Sequence, residues 1–261
     1  MNQKTYLGHF AQVLLVSILL SVFTCEHDET LDSSRNTFGD DIADITYLNG
    51  SFFTTNYDLS GHSGSQIDLL RFEDDGSRIF LEDHFDLGMN GQGYLAMAND
   101  STNLYLQSRT TELLIKCSSV GEKAYLLYDD LGSNWHPAGL SYDPEKDSLL
   151  ALYRNSQQPQ SYRLRTLAPD LNAPAGTEAY VDLDFAGRGY YGIYALAWHN
   201  SGLYLLGVDS TGADILVTAD HALDTFELEI IPDSTVVGLC FKEDDLFLSY
   251  RDRRIAYWRS Y

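Results

Sequence analysis

The stretch AGLSYDPEKDSLLALYR, from Ala138 to Arg154, is a short apolar strand, a turn that concentrates charge, and a second apolar strand. The outline recurs as LAMANDSTNLYLQSR (Leu95–Arg109), LAWHNSGLYLLGVD (Leu196–Asp209), LCFKEDDLFLSYR (Leu239–Arg251) and, more loosely, ITYLNGSFFTTNYD (Ile45–Asp58). Each copy sets an aromatic or Met two places after an aliphatic residue, then a polar turn, then a run rich in Leu, Tyr and Phe. Alternating or continuous apolar runs of this length, separated by turn clusters, are strand patterns. The chain from about Ala43 onward is therefore expected to be a repeat protein made of strands.

Ile45, Leu95, Leu140, Leu196 and Leu239 are equivalent positions, and they are spaced by 43 to 56 residues. A period in this range with four strands per unit is the pattern of a β-propeller. The third unit shows the four strands most plainly: AGLSYD, SLLALYR, SYRLRTL and AYVDLDF. The second reads YLAMA, NLYLQS, ELLIK, AYLLYD and the fourth YALAW, LYLLGV, DILVTA, FELEII. The fold expected is all-β, a propeller of five blades, each of four antiparallel strands. Six blades stay open as an alternative, since the first unit matches loosely and the third is long. The last unit stops after VVGLCF, DLFLSY and RIAYW, one strand short. A segment near Asn36–Ala43 is expected to supply the missing outer strand and hide the last edge. In the first strands, Leu140 with Tyr142, Leu196 with Trp198 and Leu239 with Phe241 share a face, so these aromatics are expected between blades.

Residues 1–25 carry Lys4 near the start and an apolar stretch from Val13 to Phe23, shorter than a membrane-spanning helix of ~20 residues. This reads as an export signal. Its ending, Val22-Phe23-Thr24-Cys25, resembles the lipobox of bacterial lipoproteins, although Phe23 is bulky and Thr24 replaces the usual Gly, Ala or Ser. The resemblance implies cleavage before Cys25, a lipid on its thiol and anchoring to a membrane. Glu26-His27-Asp28-Glu29 is similar to the acidic export tag of lipoproteins carried to the outer surface of some Gram-negative bacteria. The location implied is extracytoplasmic, at the outer membrane or cell surface. A plain secretory signal or an uncleaved anchor leads to the same side of the membrane. Residues 26–42 are expected to be a tether that includes part of the ring-closing strand, and 43–261 the propeller domain.

A net charge of -21, from 17 Lys and Arg against 38 Asp and Glu, disfavours nucleic acid and anionic lipid head groups as partners. Cys25, Cys117 and Cys240 are too few and too far apart for a disulfide framework or a zinc site, and the last two sit in apolar runs as core residues. No nucleophile elbow, phosphate loop or EF-hand is present, His62, His84, His136, His199 and His221 are scattered, and neither a metal nor a cofactor is expected. Asp182 and Asp184 read as a solvated outer strand, and Asp74, Asp75 and Asp209 as turn formers.

One position rises above that background. Five residues into the second strand, three units place arginine: Arg109, Arg154 and Arg251. The connections between units carry Asp44, Tyr94, Trp135-His136, Arg188, Tyr190-Tyr191 and Asp233. Guanidinium groups grip anions through paired hydrogen bonds and aromatic rings stack on sugars, so Arg109, Arg154, Arg251, Trp135, His136, Tyr191 and Asp209 are the candidate ligand-binding residues. The function expected is a non-catalytic binding module for a glycan, an anionic small molecule or an envelope protein. The rival is a glycoside or lactone hydrolase, with Asp44, Asp58, Asp209 and Asp233 as its nominees for acid and base.

Overall fold

The computed structural model describes residues 41–57, 66–90, 95–108, 113–128, 134–171, 180–184, 190–220, 226–232 and 235–261, all within the unit Leu31–Tyr261. Among them there are five antiparallel sheets and no helix. Sheet 1 holds β1 (Asp41–Leu48), β2 (Ser51–Tyr57), β3 (Gln66–Asp74) and β4 (Ile79–Asn90). Sheet 2 holds β5 (Leu95–Asn99), β6 (Leu104–Ser108), β7 (Leu113–Cys117) and β8 (Lys123–Tyr128). Sheet 3 holds β9 (Trp135–Asp143), β10 (Ser148–Asn155), β11 (Ser161–Leu167) and β12 (Tyr180–Asp184). Sheet 4 holds β13 (Tyr190–His199), β14 (Gly202–Asp209), β15 (Asp214–Ala219) and β16 (Phe226–Ile230), and sheet 5 holds β17 (Val236–Lys242), β18 (Asp245–Tyr250) and β19 (Ile255–Ser260). Strands follow chain order within every sheet.

The turns explain much of the acidic composition. In Asp143–Asp147 the Asp143 carboxylate accepts from the backbone N–H of Glu145 and Lys146, and Asp100 does the same for Thr102 and Asn103. Asp75 accepts from Ser77 and Arg78. Short carboxylates that satisfy turn amides favour tight reversals over continued strand. The β1–β2 hairpin closes through Asn49 (φ 51°) and Gly50 (φ 94°), the pair of left-handed residues that matches strand twist in a two-residue loop.

Burial is divided among five seams. Met97, Leu104, Leu106 and Ile115 of sheet 2 pack on Phe53, Leu69 and Leu87 of sheet 1, and Ala96, Tyr105 and Leu114 pack on Leu140, Leu149 and Tyr153 of sheet 3. Sheet 3 meets sheet 4 through Leu152, Tyr162, Leu196 and Leu205, and sheet 4 meets sheet 5 through Leu206, Leu216, Leu239 and Leu248. The fifth seam joins the ends: Val237, Cys240, Phe247 and Ile255 of sheet 5 pack on Ile42, Ile45, Phe52 and Phe72 of sheet 1. The first strands themselves lie side by side, each of β1, β5, β9 and β13 against the next, and β17 against β1. Tyr142, Trp198 and Phe241 pack at the seams, as their face with Leu140, Leu196 and Leu239 requires. The approach is closest where side chains are smallest. A methyl at Gly139 would lie 2.9 Å from the Leu196 Cβ, and one at Gly238 would run into the Asp44 carboxylate.

Two expectations change. Of the segment meant to complete sheet 5, residues 36–40 lie outside the described residues, and Asp41–Ala43 run in β1, paired with β2. The reason is burial: Ile42 and Ala43 are fully enclosed in the fifth seam region, where an outer strand would expose them. Trp135-His136 and Tyr190-Tyr191, expected in connections, open β9 and β13, because the ladders run on to Asn155 and Asp209 through local register shifts. Asp44 likewise lies within β1.

Polar links reinforce each seam. On the seam from sheet 5 to sheet 1, Lys242 Nζ donates to Asp74 Oδ2 at 2.6 Å. Burial pushes the Asp74 carboxyl up, but the Lys242 bond and the Gly76 N–H outweigh it and hold the group below 3.8. A depressed carboxyl stabilises the fold above its unfolded value and loses that contribution as pH falls through the folded one. Lys242→Met should therefore lower the melting temperature at pH 7, by an amount equivalent to about 1 kcal/mol for this partly buried pair. The gap to wild type should close as the pH is taken well under 3.8, followed by thermal melts across pH 2–7. Gly238→Ala should cost about 2–3 kcal/mol at neutral pH through overpacking against Asp44, measurable by urea unfolding.

Candidate functional site

A cleft of about 420 Å³ opens between sheets 3 and 4, where β9 and β13 begin and β10 ends. Its floor is apolar, from Pro137, Ala138 and Ile193; its rim carries His136, Arg154, Asn155, Ser156 and Tyr194. Strand register builds it. Arg154 stands opposite His136 in the β9–β10 ladder and opposite Tyr162 in the β10–β11 ladder, so the guanidinium faces sheet 4. Its Nε donates to the Pro159 carbonyl at 3.1 Å, which fixes the plane of the group. Gly192 leaves room beside it: a methyl there would sit 3.7 Å from Arg154 Nη1.

The walls are tied down. Tyr162 Oη accepts from the Ile193 N–H at 2.6 Å, and burial raises the phenol's pKa, offset in part by that bond and by the Arg154 charge. Tyr194 Oη lies 3.0 Å from both Asp214 Oδ1 and the Val236 carbonyl and shares its one proton between them, so its ring is held from sheets 4 and 5. Asn155 Oδ1 accepts from the backbone N–H of Gln157 and Gln158 and shapes the turn behind the rim. A fixed guanidinium above an apolar floor suits a ligand with an anionic group and a nonpolar face.

Of the residues nominated from sequence, the cleft brings together Arg154 and His136. Trp135 lies on the opposite face of sheet 3, where the Arg163 guanidinium stacks 4.4 Å from its ring centroid. Arg251 sits exposed in the turn after β18, its N–H bonded to the Thr235 carbonyl. Asp209 caps its own turn, accepting from Thr211 Oγ1 and from the N–H groups of Thr211 and Ala213, with its carboxyl held below the usual value chiefly by the Thr211 hydroxyl. Tyr191 is described only as backbone in β13, and Arg109 lies outside the described residues, as do Asp58 and Asp233. Tyr194 and Asn155 went unmarked in the sequence, since neither recurs at its repeat position.

Asp44 is fully buried and engaged by backbone. Its Oδ1 accepts from Ile45 N–H (3.1 Å) and Leu239 N–H (3.3 Å), its Oδ2 from Met97 N–H (3.3 Å). Among the described residues no three His, Cys, Asp or Glu side chains converge as a metal site, and no helix is long and apolar enough to cross a membrane.

These sheets define a propeller-like all-β protein. The chain is similar to the crystal structure of Myxococcus xanthus glutaminyl cyclase, at a TM-score of 0.56 and 17% identity over 85% of this chain and 94% of that one. It is also similar to a chain of a nidogen/laminin complex, at 0.52 and 11% identity over 80% and 72%. At such identities the likeness shows the fold alone. No protein-family model matches the sequence, and no curated protein matches it.

Cys117 and Cys240 are free and buried, as their apolar runs predict. Burial pushes the Cys117 thiol up to about 12 against a small opposing effect of Lys123, and raises Cys240 well above 9.0 with help from Asp44. Neither should be alkylated by iodoacetamide in the native protein at pH 8, and both should react once the chain is unfolded, as read by peptide mass mapping.

Proposed function

We propose that the chain is an extracytoplasmic, lipid-anchored binding module in which the five sheets are five blades of a propeller, and that its cleft holds the anionic group of a glycan or small molecule. Packing of sheet 5 on sheet 1 supports the five-blade reading. The observation that carries the binding role is the Arg154 guanidinium, oriented by Pro159 on the wall of the cleft above Pro137, Ala138 and Ile193. His136, Asn155 and Ser156 add hydrogen-bonding capacity for hydroxyl groups at the rim. The anchor rests on the resemblance of Val22–Cys25 to a lipobox.

The hydrolase reading needs two carboxylates in one pocket. Asp44 is taken up by backbone N–H groups of three sheets, and Asp209 by its own turn. Neither lines the cleft.

The test is calorimetric binding of the full chain to uronate-bearing oligosaccharides, sugar phosphates and small dicarboxylates, alongside turnover assays. The turnover panel contains chromogenic glycosides, lactones and a peptide with N-terminal glutamine, the last because a similar solved structure is a glutaminyl cyclase. Saturable binding is expected, weakened roughly 10- to 100-fold by Arg154→Ala. Turnover lost in carboxylate variants would replace this reading with a hydrolytic one, and silence in both panels would point to a protein partner.

A further inference from the structure

We infer that the cleft takes up a proton on His136 together with its anionic ligand, and so holds that ligand more tightly in acid. The inference rests on the binding role proposed above and adds its regulation. His136 stands directly across the β9–β10 ladder from Arg154, and both line the cleft. Residues directly opposite in an antiparallel pair carry their Cβ atoms about 4.5–5.5 Å apart on one face of the sheet. A carboxylate seated against the Arg154 guanidinium is therefore within reach of the imidazole.

The surroundings make His136 the group that changes charge there. Histidine is the side chain whose charge ordinarily changes between about pH 5 and 8, and His136 is exposed to solvent. From β10 it is faced by Arg154, which stays cationic throughout that range. From β13 it is faced by Tyr194, whose hydroxyl is engaged by Asp214 and the Val236 carbonyl. Asp214 also accepts from the Val236 N–H, and Tyr162, opposite Arg154 on β11, holds the Ile193 N–H. The turn from Ser156 to Gln160 has no ionisable side chain, and neither do Trp135 and Pro137 on either side of His136. None of the described residues lining the cleft is Asp or Glu, in a chain that has 38 of them. A second positive charge there finds its counterion in the ligand.

Two consequences follow from an anion placed between the two side chains. An opposite charge within about 4–6 Å favours the protonated imidazole. Coupling between two bound species is reciprocal, so the proton favours the anion by the same factor. The protonated ring also offers two N–H donors where the neutral ring offers one. A coupling of one pH unit corresponds to a tenfold change in affinity.

The experiment is calorimetric titration of the full chain with digalacturonate from pH 5.5 to 8. Carboxyls of this kind ionise near pH 3.5, so the ligand keeps its charge throughout. Affinity should rise roughly tenfold from pH 8 to pH 5.5. At pH 6.5 the binding heat should vary with the ionisation heat of the buffer in the sense of proton uptake. His136→Gln should flatten the profile to within about twofold, and so should His136→Lys, which stays charged across the range. The other histidines remain in both variants, so a general effect of net charge would leave the slope in place. Equal affinity at pH 5.5 and 8, or a slope that survives in His136→Gln, overturns the inference and leaves Arg154-dependent binding standing. Absence of binding at every pH overturns the binding role and the proton coupling with it.

Discussion

The Asp44 carboxylate is the point on which the central strands depend. It lies in β1 and reaches across both flanking gaps to backbone N–H groups of β5 and β17. Strand edges at the centre of such an assembly leave amides that cannot pair within their own sheet, and buried unpaired amides are costly. One side chain meets three of them at once, its two oxygens accepting from Ile45, Met97 and Leu239. Leaving a buried donor without its acceptor costs about 1–3 kcal/mol. Gly238 is part of the same arrangement, since the carboxylate occupies the space a side chain would need.

The repeat outline was legible because strand period and turn chemistry are local. SYRLRTL, DILVTA and DLFLSY coincide with β11, β15 and β18 to the residue. The aromatic two places after Leu140, Leu196 and Leu239 reached its seam because a strand alternates faces without exception until a bulge intervenes. Bulges are where the reading lost its way. The shift between Leu152 and Tyr153 lets β9 begin at Trp135, and nothing in WHPAGL advertises that extension. Pro137, which argues against a strand, sits at the irregularity, where a missing N–H does least harm.

The site was legible only in part, for a related reason. Arginine at one repeat position was visible, but repeat position sets height along a strand and says little about the neighbour across the gap. Arg154 gained a cleft because Gly192 lies beside it, whereas Arg251 opened onto a turn. Trp135 and His136 are adjacent in sequence and so point to opposite faces of sheet 3, one to the Arg163 stack and one to the cleft. Tyr194 could be found only with the fold in hand, because its anchors, Asp214 and Val236, come from a different strand and a different sheet.

The seams differ from one another in their polar chemistry. Asn99 donates to Thr46 and to the Tyr47 carbonyl between sheets 2 and 1, and Tyr105 and Lys116 share the Pro169 carbonyl between sheets 2 and 3. Ser141 accepts from the Trp198 N–H between sheets 3 and 4. His199 stacks on Phe241 and contacts Asp244 between sheets 4 and 5, and Lys242 meets Asp74 between sheets 5 and 1. Leucine-rich faces alone would let any sheet of a repeat protein settle on any other, a common route to misassembly in such chains. Because each junction has its own donor and acceptor set, a sheet docked out of order buries polar groups without partners, and the order of the sheets is written into the folded state as a set of non-interchangeable addresses.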